Sequence, residues 1–157
     1  MKWHFENRGR LGELATSLAR WDGTPFLQRH AKVGVGVDCV RFAREVYREC
    51  GVDVSAAEDI PNYGLGWGLQ QEHSQLLAWI HECPGARARF ARIDPDDPWM
   101  AGDLVILRRG LSAHHLGIIG PGELDLWHVD IPDGVVRVDL QGAREHFKPV
   151  SIRRLRA

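Results

Sequence analysis

Leu11, Leu14, Leu18 and Trp21 recur at helical spacing and predict an amphipathic helix over residues 9–21. Asp22-Gly23-Thr24-Pro25 is a breaker cluster that stops it. The stretch from Phe26 to Val37 closes in Val33-Gly34-Val35-Gly36-Val37 and reads as a loop with two glycines. From Asp38 to Cys50 the pattern is helical again, with Cys39, Ala43, Val46, Tyr47 and Cys50 on one face. Asp38 stands where an N-cap belongs, and Gly51 where a helix-ending glycine belongs. Residues 55–71 are irregular. A third helix is expected over Gln71–Cys83, ended by Pro84-Gly85. Arg87 to Pro98 runs from basic to acidic and reads as a surface strand and turn.

After residue 102 the period changes to two and β-branched residues take over. Strands are expected at Leu104–Leu107, His114–Ile119, Leu124–Asp130, Val135–Leu140 and Ser151–Arg156. Helices first and a meander of about five strands afterwards is an α+β layout, with the helices packed on an antiparallel sheet. The 157 residues suit a single domain spanning 1–157.

Hydrophobic residues make up 44% and charged residues 26%, the balance of a globular rather than a disordered chain. A net charge of −1 gives no electrostatic case for nucleic acid or an acidic membrane surface as partner. No apolar run approaches the roughly 20 residues that span a bilayer, so membrane insertion is not expected. Met1 to Arg8 has no apolar stretch of the secretory type, which points to a cytoplasmic protein at synthesis. The three cysteines, Cys39, Cys50 and Cys83, are too few and too scattered for a disulfide framework. Without a C-x-x-C pair a structural zinc is not expected, and nothing calls for a cofactor.

Cys39 opens the second helix just after a glycine loop and an N-cap aspartate. Free backbone N–H groups and the positive end of the helix dipole favour a thiolate there, and the same N–H groups could receive an oxyanion. The plain alternative is a small core residue, since free cysteine is among the most buried types. A thiol nucleophile needs a base, and the base needs an orienting group. His115 shares a strand face with Gly117 and Ile119, and His128 lies on the next strand. Pairing of the two strands would bring the rings side by side. The adjacent His114 invites a metal reading, but neighbouring strand residues face one ion only across a bulge, so no metal is expected.

In order along the chain, Gly23-Thr24-Pro25-Phe26, Gly36-Val37-Asp38-Cys39, Gly102-Asp103-Leu104-Val105 and His115-Leu116-Gly117-Ile118-Ile119-Gly120 resemble four motifs of the NlpC-type cysteine peptidases. These are papain-like cell-wall hydrolases. The likeness covers roughly residues 10–155 and is closest to the subgroup encoded with phage tail proteins. It implies a papain-like α+β fold, and Cys39 as nucleophile, His115 as general base and His128 as its orienting partner. It implies Asp38 as a residue able to bind a substrate amine. The substrate implied is a peptidoglycan stem peptide, cut after γ-D-glutamate and before a diamino acid, with phage tail proteins as further partners and the virion as a possible destination.

Two positions depart from that pattern. Phe26 stands where the family has tyrosine, and Val40 where it has a small residue, often serine. The oxyanion would then rest on the Cys39 N–H and a second donor, with Gln28 and His30 as candidates. Arg41, Arg44 and Arg48 with Glu45 and Glu49 read as a solvated outer helix face, with Arg41 and Glu45 at pairing distance. Trp67 is placed either along a substrate groove or in the core. The residues leave three functions open: a thiol hydrolase, a catalytically weak or inactive interaction module of a tail assembly, and a thiol amidase or acyltransferase.

Overall fold

A computed structural model of the chain describes residues 2–54, 84–109, 112–122, 125–131 and 133–157. A short 3-10 turn, His4–Glu6, leads into α1 (Arg8–Trp21), capped by Asn7, whose side chain accepts from the Gly9 and Arg10 N–H groups. β1 (Ala31–Lys32) and β2 (Gly36–Val37) form a tiny antiparallel hairpin in the stretch read as a loop. Two residues per strand are too few for a period to show in sequence. α2 (Cys39–Glu49) begins and ends within a residue of expectation, and Gly51 takes φ +76° just beyond it. The expected helix Gln71–Cys83, the irregular stretch 55–71, Trp67 and Cys83 lie outside the described residues.

α3 (Pro84–Arg89) precedes six strands: β3 (Phe90–Ile93), β4 (Leu104–Arg109), β5 (Ser112–Ile119), β6 (Leu126–Asp130), β7 (Gly134–Val138) and β8 (Lys148–Leu155). They form one antiparallel sheet in the order β3-β8-β4-β5-β6-β7. The strand beyond the expected five is β3, in the stretch read as a surface strand; it pairs along β8 and buries Ala91. The strand expected through Leu140 stops at Val138, because Asp139 caps a helix, α4 (Leu140–His146), by accepting from the Gly142 N–H at 2.7 Å.

Alternation along the strands divides the core in two. Leu104, Ile106, Leu116, Ile118, Trp127 and Val129 meet the apolar faces of α1 and α2, chiefly Leu14, Leu18, Trp21, Phe42, Ala43 and Val46. Val105, Leu107, Ile119, Leu126 and Ile152 turn the other way and meet Trp99 and Ala143, with Leu140 and Phe147 at the rim. No described helix is long and apolar enough to cross a membrane.

Candidate active site

The chain approaches Cys39 through a loop clamped on both sides. Gly23 N–H donates to the Val135 carbonyl at 3.0 Å, and Val135 N–H to the Thr24 carbonyl at 2.8 Å, so the loop runs along the outer edge of β7. Gly134 makes this approach possible: at φ +80°, a Cβ there would stand 2.1 Å from the Thr24 carbonyl oxygen. Two residues on, Leu27 N–H donates to the Val37 carbonyl, and Val37 N–H to the Pro25 carbonyl. Arg29 then takes φ +64°, a left-handed conformation that costs a side-chain-bearing residue about 1 kcal/mol or more. Its N–H donates to Asp38 Oδ2 at 2.9 Å.

Asp38 is fully enclosed. Its Oδ1 accepts the Arg41 N–H at 2.9 Å, the N-cap bond expected from sequence, and its Oδ2 also accepts Arg41 Nη1 at 2.6 Å. Arg41 is therefore no part of a solvated outer face. Its charge folds back onto the N-terminus of α2, while Glu45 pairs with Arg44 and Arg48 instead. Cys39, the first residue of α2, is 7% exposed and borders the apolar core. The N–H groups of the first helical turn have no acceptor within the helix, so the local field there favours negative charge. Val40 is buried in the core beside it.

α2 packs on β5 and β6. The register sets Gly117 opposite His128, so His115, two residues before Gly117, is the diagonal neighbour of His128. Both rings are buried, and His115 Nε2 lies 3.0 Å from His128 Nδ1. Alternation puts them on the α4 side of the sheet, where Phe147 stands against both, with centroids 5.7 and 5.3 Å away. At the start of β5 the register steps from Leu107↔His115 to Arg108↔Ala113, leaving His114 unpaired with β4. A bulge therefore sits beside His115, where an unbroken strand is expected from the sequence; bulges re-aim neighbouring side chains. Among the described residues no group of three or more His, Cys, Asp and Glu is placed to hold a metal ion.

Phe26 is half-buried, packs against the α1/α2 core and bridges to Val37. Gln28 buries its Nε2 without a protein partner. His30 is exposed, and its Nδ1 contacts the Gln28 carbonyl at 3.0 Å. None of the sequence motifs marks Phe147; the signal for it is the helical spacing of Leu140, Ala143 and Phe147 after Asp139, which marks both α4 and the ring that closes it.

The second cysteine supplies a contrast. Cys50 is fully buried at the far end of α2, where burial, reinforced by the charge of Glu13 and opposed by Arg10, pushes its thiol up to about 12.

No protein-family model matches the sequence, and no curated protein matches it either. Solved structures do match the fold. A Staphylococcus aureus protein described as similar to a lipoprotein of the NLP/P60 family superposes with a TM-score of 0.58 at 16% identity, covering 96% of this chain and 43% of its own length. The NlpC/p60 domain of the peptidoglycan hydrolase SagA superposes with a TM-score of 0.54 at 20% identity, over 90% of this chain and 96% of that domain.

The fold is that of the NlpC/P60 domains. The chain spans less than half of the staphylococcal protein. Within this NlpC/P60-type fold, the Gly102-Asp103-Leu104-Val105 motif has a structural explanation. Buried Asp103 takes two hydrogen bonds from Arg154, each at 2.8 Å, and one from the Met100 N–H. The Gly102 carbonyl accepts from the Tyr47 hydroxyl at 2.9 Å. The motif thereby ties β4 to β8 and to α2, the helix that opens with Cys39.

Proposed function

We propose that the protein belongs with the NlpC-type cysteine peptidases and hydrolyses peptidoglycan stem peptides, at the bond between γ-D-glutamate and a diamino acid. Cys39 is the nucleophile, His115 the general base and His128 the group that orients it. The observation that carries the reading is the 3.0 Å bond between His115 Nε2 and His128 Nδ1. The Cys39 helix packs over the opposite face of the same two strands, so the reading requires thiol and imidazole to meet around one end of β5. For His115 to act as a base through Nδ1, its Nε2 must hold the proton and donate it to His128 Nδ1. That tautomer leaves the Nδ1 lone pair for the thiol. We place the meeting of thiol and imidazole at the bulged start of β5.

In this scheme the Cys39 proton passes to His115 and the sulfur bonds to the peptide carbonyl carbon. His115 then gives its proton to the amine nitrogen as the C–N bond breaks, leaving a thioester. Water, deprotonated by His115, attacks the thioester, the C–S bond breaks and the thiol is restored. The Cys39 N–H and the buried, unpartnered Gln28 Nε2 receive the oxyanion. Association with a phage tail is part of the same proposal, drawn from the sequence resemblance.

One observation favours a second reading, a weak or inactive interaction module: Phe26, packed beside β2, offers no hydroxyl to the site. Stem peptides incubated with the purified protein and with Cys39→Ala separate the two. Cleavage by the native protein alone supports the hydrolase, whereas equal results from both remove it. Product analysis with added amines distinguishes hydrolysis from acyl transfer.

A further inference from the structure

The carboxylate immediately before Cys39 already takes three hydrogen bonds, one of them from a charged group. Asp38 has no exposed surface, and its oxygens take the Arg29 N–H, the Arg41 N–H and the Arg41 guanidinium at 2.9, 2.9 and 2.6 Å. A carboxylate has about four lone-pair positions, so one at most remains, and it is enclosed. The Arg41 side chain keeps 14% of its surface exposed, and a guanidinium carries donors beyond the one spent on Asp38. Among the described residues, the mouth of α2 thus presents a helix N-terminus and an arginine, with the adjacent acid, Asp38, paired to that arginine. Of this pair the guanidinium is the partly exposed end and the carboxylate the enclosed one, so an ammonium arriving there would meet Arg41 first and find no open oxygen on Asp38.

We propose that Arg41 sets the charge preference of the site. The substrate group that lies beside the N-terminus of α2 is neutral or anionic, so peptides with an acylated amino end are accepted and those with a free ammonium are refused. This rests on Cys39 being the reactive thiol. In Arg41→Ala the backbone bonds from Arg29 and Arg41 still hold Asp38, but its buried charge loses its partner, so Arg41→Gln, which keeps a side-chain donor without the charge, is measured beside it.

Two thiol reagents of equal size and opposite charge test it: the sulfonatoethyl and trimethylammonioethyl methanethiosulfonates. Rates at Cys39 are read by mass spectrometry and expressed as the anionic-to-cationic ratio, relative to the same ratio for a free cysteine peptide. The expected ratio exceeds that of the free peptide in the native protein and falls about tenfold in Arg41→Ala and in Arg41→Gln, while Arg41→Lys stays near the native value. A native ratio at or below the free peptide's, or no change in Arg41→Ala or Arg41→Gln, overturns the assignment of Arg41 and leaves the hydrolase reading standing. No modification of Cys39 by either reagent overturns both. With stem peptides in matched free and N-acetylated forms, the native protein prefers the acetylated form, and Arg41→Ala shifts the kcat/KM ratio towards the free amine.

Discussion

His115 and His128 meet edge to face, with ring planes at 88° and a 3.0 Å contact from Nε2 to Nδ1. In the proposed mechanism this contact fixes the His115 tautomer, so its loss removes the base without removing the ring. His128→Ala is expected to lower kcat about 10²-fold or more with little change in KM. His128→Gln, which keeps an acceptor, retains more activity than His128→Ala. Steady-state kinetics on a stem peptide decide this, and a His128→Ala enzyme with native kcat would remove the orienting role.

Phe147 closes the other side of the pair. Both imidazoles pack on its ring, and no polar group of its side chain takes part. Phe147→Ala opens the rings to water and removes half-buried apolar surface. A loss of roughly 1–3 kcal/mol in denaturant melts is expected, below the range for fully buried Phe-to-Ala changes, together with a lower kcat. Phe147→Leu recovers most of both.

Gln28→Ala addresses the oxyanion. Its buried Nε2 has no protein partner, so truncation costs no hydrogen bond in the free enzyme. Stability is expected to change little, while kcat falls on the order of 10²-fold, as for loss of one oxyanion donor. Alkylation of Cys39 by iodoacetamide should proceed at the native rate, because the thiolate itself is untouched. Native kcat in Gln28→Ala would leave Phe26 with no substitute donor.

What the sequence made legible follows from the length of each pattern. The α2 face repeats over three turns, with Asp38 and Gly51 as punctuation, and its ends were read within a residue. β4, β5 and β6 carry dense β-branched or apolar alternation, so their existence and the His115–His128 neighbourhood were readable before any pairing was known. The β1–β2 hairpin was not, since four residues hold no period. α4 was masked by Val138 and Leu140, which continue the β7 alternation into a helix that only Asp139 announces. Arg41 was misplaced because spacing along a helix favours Glu45, whereas the nearer opposite charge is Asp38, in the cap. The positive φ of Arg29 and the bulge at His114 depend on loop clamping and strand register, neither of which a local pattern encodes.

The Asp103–Arg154 pair should hold the sheet to its loops. Asp103 is fully buried, and Arg154 also donates to the Pro98 carbonyl, with the Trp3 ring 5.6 Å from its guanidinium carbon. Arg154→Ala strands a buried carboxylate, which typically costs about 3–5 kcal/mol. A loss of that size in chemical denaturation is expected, with smaller damage from Arg154→Lys, which keeps the charge but not the two parallel bonds. A change under 1 kcal/mol in Arg154→Ala, on the order of a surface pair, would mean that water reaches Asp103.

Cys50 sets a pH limit whose sign follows from its burial. Burial pushes the folded thiol's pKa up to about 12, whereas an ordinary thiol is half-ionised near 9.0. Below that lower value both states keep the proton, and the thiol imposes no penalty. Between the two values only the unfolded chain ionises, so the folded state binds more protons and stability falls as pH rises. Three pKa units correspond to roughly 4 kcal/mol at most. Tyr47, also raised by burial and by the Asp103 charge, pulls the same way. Its burial and Asp103 contributions are present in both proteins when the native chain is compared with Cys50→Ala and cancel, and only the smaller part that comes from the Cys50 charge is lost with the thiol. Cys50→Ala is therefore expected to start less stable at pH 7, through its small cavity, and to close that gap or overtake the native protein by pH 11. Urea melts at pH 7, 9 and 11 measure the gap, and a constant difference across that range would show that the Cys50 thiol ionises as freely in the folded state as in the unfolded one.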